Sequence, residues 1–186
     1  MKTLITLLSF LFSLPMLSQE PHTYKIMVKE RTSVKGEYKE LELLSTNNLK
    51  ILIIKNQKKE RLPLNEKDSL LVVTIMQNYD KKLEKEFISL GEKTLAFEVD
   101  TVHLKKEHLL YNTTDNFFKN RKKIKKQLTE KENNRIILDG TTYQIIITDS
   151  MGETDVFYVH SPTEDSHPNI FELLSAFRST YKTPQP

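Results

Sequence analysis

The chain has 186 residues, 38% of them hydrophobic and 28% charged, with 28 Lys and Arg against 25 Asp and Glu, which excludes a disordered polyelectrolyte and indicates a folded core. It has no Cys, so disulfides, thiol catalysis and cysteine-ligated metals are all excluded. Its four glycines, Gly36, Gly91, Gly140 and Gly152, are too scattered for a GxGxxG turn or a GxxxxGK[ST] loop, because each of those gathers several glycines around a phosphate.

The N-terminus reads as an export signal. Lys2 supplies a positive start, residues 4–17 are mainly apolar, and Ser18 is a small residue suited to cleavage. A retained anchor would need about 20 consecutive apolar residues to cross the bilayer, and this run is shorter, with Gln19 and Glu20 directly behind it. The expected organisation is a signal peptide over residues 1–18 and one α+β domain over 19–186, secreted or periplasmic, with no stable membrane span after cleavage. Removing the signal takes away Lys2 and no acid, so the remainder is close to neutral. The basic pI of about 8.9 therefore identifies no partner by itself.

Residues 24–55 alternate with a period of two, as strands do. Tyr24, Ile26 and Val28 share one face, followed by Leu41 and Leu43, then Leu49, Ile51 and Ile53, with turns at Gly36 and at the Thr46-Asn47-Asn48 cluster. Residues 60–64 suggest a short fourth strand. In residues 66–90 the spacing of Leu71, Ile75, Tyr79, Leu83 and Phe87 predicts one long helix, with Asn65 as N-cap and Gly91 closing its end. Leu95, Phe97 and Val99 return to alternation. Thr113 or Thr114 is the expected cap of a second helix reaching residue 132. Asp139-Gly140 marks a hairpin between residues 135–138 and 141–148, and a strand follows over 155–160. Ile170, Leu173, Leu174, Phe177 and Tyr181 form one stripe of a last helix that begins at Pro168. The order of elements predicts an α+β fold of antiparallel β-meanders packed against two or three helices.

Three clusters hold candidate chemistry. The second helix carries Lys119, Arg121, Lys122, Lys123, Lys125 and Lys126 outside an apolar side of Phe117, Phe118, Ile124 and Leu128. Such a face attracts an anionic partner through screened Coulomb forces, although a plain solvated face has the same pattern. The loop from His160 through Glu164 and Asp165 to His167 offers two imidazoles and two carboxylates, a set able to move protons or hold a metal, and equally suited to capping the last helix. Asp149, Glu153 and Asp155 supply oxygens about a turn, but without the DxDxDG spine of a calcium loop. His103 and His108, five apart, share neither a helix face nor a strand face. Asn112-Thr113-Thr114 matches a glycosylation acceptor.

No residue stands out as catalytic, no metal or cofactor is expected, and a basic run without interleaved aromatics on an exported chain disfavours nucleic acid. The expectation is a non-enzymatic binding or inhibitor-type module that meets a protein or an anionic envelope component through the basic helix or an open sheet face. The alternative is a small metal-dependent or hydrolytic enzyme built on the loop from His160 to His167.

Overall fold

A computed structural model of the chain describes residues 23–32, 37–46, 49–78, 80–130 and 140–182. The expected export signal, and residues 131–139 with the first strand of the expected Asp139-Gly140 hairpin, lie outside the described residues. Three strands come first: β1 (Tyr24–Thr32), β2 (Tyr38–Thr46) and β3 (Leu49–Arg61). Helices α1 (Glu66–Gln77) and α2 (Glu84–Lys93) lead to β4 (Leu95–Leu104). Helix α3 (Leu109–Glu130), strands β5 (Thr141–Asp149) and β6 (Thr154–His160) and helix α4 (Pro168–Lys182) complete the α+β fold. The strands form one six-stranded sheet in the order β4-β3-β2-β1-β5-β6, every neighbouring pair antiparallel.

Alternation gives this sheet two unlike faces. On one, Ile26 and Val28 sit opposite Leu43 and Leu41, which in turn face Leu52 and Ile54; on the other side of β1 they meet Ile147 and Ile145. All of these are buried, and Leu110, Phe117 and Ile124 of α3 together with Leu173 and Phe177 of α4 complete the same cluster. Helix α4 is fastened at its far end, where Arg178 hydrogen-bonds the Tyr143 hydroxyl and Lys39 lies 4.1 Å from the Tyr181 ring centroid. The opposite face carries Met27, Leu44, Ile51, Ile53 and Ile146, all half-buried, and its charges are cross-linked. Lys25 pairs with Glu42 at 2.5 Å and Lys55 with Glu40 at 2.6 Å. Burial works against the charged form of Glu42, but the Lys25 hydrogen bond and the Lys25 and Lys55 charges outweigh it and hold the carboxyl below its ordinary range.

Several expectations are corrected. In β3 the inward residues are Lys50, Leu52 and Ile54, not Leu49, Ile51 and Ile53. No separate strand occupies residues 60–64, because β3 runs on to Arg61, paired with Leu95 beyond a register shift. The long helix over 66–90 is broken after Gln77. Asn78 leaves the helical region with φ −128° and ψ 57°, and the Asp80 carboxylate caps a fresh turn at Lys82 N. Asn65 caps α1 as expected, whereas Gly91 lies inside α2, which ends at Thr94. Ile75 and Leu90 are buried apart from the main core, and Lys93 ties α2 to Asp68 in the first turn of α1 at 2.8 Å.

The open end of the β5–β6 pair, where β5 begins and β6 ends, depends on Gly140. Ser161 has φ 44°, and it donates its N–H to the Thr141 carbonyl at 2.8 Å while its Oγ accepts the Thr141 N–H at 3.1 Å. A Cβ on Gly140 would lie 2.0 Å from that Oγ. Gly140→Ala is expected to cost about 1–3 kcal/mol in urea unfolding, as overpacking does. Part of that cost should vanish in a Ser161→Gly background, because the clashing oxygen is then gone while the His160 ring, 2.9 Å from the added Cβ, must still shift.

Candidate functional site

Helix α3 starts five or six residues earlier than a Thr113 or Thr114 cap would place it. The His108 ring caps it, its Nδ1 accepting the Leu110 N–H at 3.1 Å. Thr113 and Thr114 are instead buried inside the helix, and the Thr114 hydroxyl donates back to the Leu110 carbonyl at 2.8 Å. Asn112 is exposed beside them.

The first turns of α3 close over a buried ammonium. The Lys50 side chain is 2% exposed, and its Nζ lies 2.8 Å from Asp115 Oδ1, 2.6 Å from the Tyr111 carbonyl oxygen, 2.9 Å from the Tyr24 hydroxyl and 3.2 Å from Thr114 Oγ1. It also sits 4.0 Å from the Tyr111 ring centroid. Tyr24 in turn donates its proton to Asp115 Oδ1 at 2.8 Å and stacks on Phe118 at 4.4 Å. Three ammonium protons face four acceptors, so no donor is wasted. Burial pulls the Lys50 ammonium below the ordinary lysine range, opposed by the hydrogen bond and charge of Asp115. Burial also pushes the Tyr24 hydroxyl far above its ordinary range, so it remains a donor. Nothing in the apolar count of β3 announces this group. The hairpin register does, since a two-residue connection that pairs Thr46 with Leu49 places Lys50 opposite Ser45 and Leu52 opposite Leu43.

The middle of α3 is pinned to the β5–β6 end of the sheet. Arg121 bonds Asp149 at 3.1 Å and Asp155 at 3.3 Å, Lys125 bonds Asp155 at 2.8 Å, and the guanidinium lies over the Phe118 ring. Two of the six predicted basic residues are therefore engaged in holding the helix. The same contacts occupy Asp149 and Asp155 of the candidate calcium turn, whose Asp149 Oδ1 also accepts the Met151 and Glu153 N–H groups. The other four, Lys119, Lys122, Lys123 and Lys126, are exposed. They stand three and four apart, so they form one outward patch.

The loop beyond β6 does not bring its candidates together. Val159 points into the core, so His160 faces the open side of the sheet, where its Nδ1 is 3.0 Å from Thr142 Oγ1. His167 lies on the helix side, buried, with Nδ1 2.9 Å from Ser166 Oγ. Glu164 and Asp165 are exposed. Between the two imidazoles Thr163 and Ser166 exchange side-chain and backbone hydrogen bonds in a capping box, one turn ahead of Pro168. Among the described residues no three His, Asp or Glu side chains form a group able to hold a metal ion, and no helix is long and apolar enough to cross a membrane. His103 is exposed on β4, five residues before the His108 cap.

Between α3 and α4 a cavity of about 360 Å³ is lined by Ile124, Leu128, Pro168 and Ile170, with Gln127 and His167 among its polar groups. Comparison with protein-family models, with curated proteins and with solved structures finds no match, so function is read from this geometry alone.

Asp155→Asn removes the acid shared by Arg121 and Lys125. The expected loss is about 1–2 kcal/mol in urea unfolding, between the values of exposed and buried ion pairs, because Asp149 still holds Arg121. Raising salt should narrow the gap, since the Lys125 side chain is 47% exposed and already screened.

Proposed function

We propose that this chain is an exported, non-enzymatic binding module that meets an anionic component of the cell envelope through the outward face of α3. The observation that carries the reading is the exposed patch of Lys119, Lys122, Lys123 and Lys126 on a helix whose other sides are fixed to the sheet. Lys119 with Lys123, and Lys122 with Lys126, are like-charge pairs four apart, each disfavouring the helix by about 0.2–0.5 kcal/mol. A bound anion relieves that repulsion. The open sheet face is less suited to the role, because Lys25, Glu40, Glu42 and Lys55 already neutralise one another there.

A rigid basic face has a further advantage. Its lysines are positioned before the partner arrives, so binding costs little ordering of the backbone. The attraction is long-ranged at low ionic strength and falls as the Debye length shrinks, from about 30 Å at 0.01 M to about 8 Å at 0.15 M.

Cosedimentation with vesicles of phosphatidylglycerol and phosphatidylcholine tests the reading. The protein is expected to pellet with the anionic vesicles at low salt, to be released by salt, and to ignore pure phosphatidylcholine. Lys122→Glu with Lys123→Glu and Lys126→Glu should abolish binding while the protein still folds, with a cooperative melting transition and an unchanged far-ultraviolet circular dichroism spectrum. Equal binding by the triple variant would reject α3 as the contact.

A further inference from the structure

We infer that the cavity between α3 and α4 is a binding site for the single acyl chain of an anionic amphiphile, with the lysines of α3 receiving its headgroup. The inference rests on the reading of α3 as an anion-binding face and names the chemistry of what it binds. Three observations converge. The cavity has a volume of about 360 Å³, near the lower end of the roughly 300–1,000 Å³ found for small-molecule pockets, which suits one chain rather than two. Of its apolar lining residues Leu128 and Pro168 keep exposed surface, and the buried Ile124 and Ile170 of the core form the floor behind them. A positive charge stands beside it on α3, because Lys123 lies one helical turn before the lining residue Gln127 on the same side of the helix and is exposed, while the exposed acids of the neighbouring loop, Glu164 and Asp165, lie next to Ser166.

The chemistry follows from these placements. An acyl chain lying against Leu128 and Pro168 leaves water for an apolar surface, the favourable term that a soluble polyanion lacks. Its carboxylate or phosphate then stays at the rim within reach of the outward lysines. A neutral amphiphile gains the first term alone and a polyanion the second alone, so an anionic single-chain amphiphile is the ligand for which both add. Ser166 and His167 hold the cavity wall in place, since their side chains are already hydrogen-bonded in the turn that opens α4.

The test is an amide and imidazole NMR titration of the full chain with sodium dodecanoate below its micelle concentration, and with dodecyl maltoside as the neutral counterpart. Dodecanoate should saturate at one molecule per chain and shift the signals of Gln127, Leu128, His167 and Ile170. Gln127→Trp fills the cavity from an exposed position without emptying the core, and it should weaken dodecanoate by about tenfold or more, as loss of a buried apolar contact does. Lys123→Glu should weaken dodecanoate by about threefold to tenfold and leave dodecyl maltoside unchanged, the mark of a screened charge. Absence of saturable shifts, or full affinity in folded Gln127→Trp, overturns the inference. If dodecanoate fails while anionic vesicles still bind, the cavity assignment alone falls; if both fail, the anion-binding reading of α3 falls with it.

Discussion

A charged ammonium inside the protein is the constraint from which the arrangement of α3 follows. Taking Lys50 out of water is costly, and the cost is met only if its protons find acceptors in fixed positions. Those acceptors come from β1 through Tyr24 and from the first turns of α3 through Tyr111, Thr114 and Asp115. Helix and sheet must therefore dock in one register. Asp115 is 30% exposed, so the pair sits at the edge of the core, where water can approach the carboxylate but not the ammonium.

From that anchor the helix runs along the sheet to a second set of ion pairs at Asp149 and Asp155. The second attachment takes up Arg121 and Lys125, while Lys119, Lys122, Lys123 and Lys126 stand exposed on the same helix. Charge on the open sheet face is handled differently, by neighbours of opposite sign across β1, β2 and β3. The contrast leaves α3 with an exposed basic face on a fixed scaffold. The adjacent cavity adds apolar surface to the same end of the molecule.

The fold class was legible because its signals are periodic. Alternation in β1, β2, β5 and β6 and the stripe of Ile170, Leu173, Leu174 and Phe177 in α4 each point to one buried face. In β3 both parities are apolar, through Leu49, Ile51 and Ile53 on one side and Leu52 and Ile54 on the other, so hydrophobicity could not choose between them. The lysine itself argued against the inward parity that the fold adopts. Only the length of the connection between β2 and β3, combined with inward Leu41 and Leu43, fixes Lys50 as buried. The break between α1 and α2 was hidden for a related reason. Leu71, Ile75, Leu83 and Phe87 keep helical spacing across it, yet Asn78 leaves the helical region and the Asp80 carboxylate takes the Lys82 N–H in a local bond that competes with the helix. At α3 the basic residues were visible, but their division was not, since the acids that claim Arg121 and Lys125 lie 28 and 30 residues further on. In the loop from His160 to His167 the imidazoles end on opposite sides of the sheet, a separation that sequence proximity does not show.

The most direct measurement is a double-mutant cycle in urea on Lys50→Met and Asp115→Asn. With Lys50 as the buried partner, Asp115→Asn strands an uncompensated ammonium and should cost about 3 kcal/mol or more, whereas Lys50→Met leaves a carboxylate that water can reach and should cost less. The double variant should be no less stable than Asp115→Asn alone, with a coupling of about 1–3 kcal/mol. Equal single costs that simply add would contradict the account, because they would mean that α3 docks on the sheet without the buried pair.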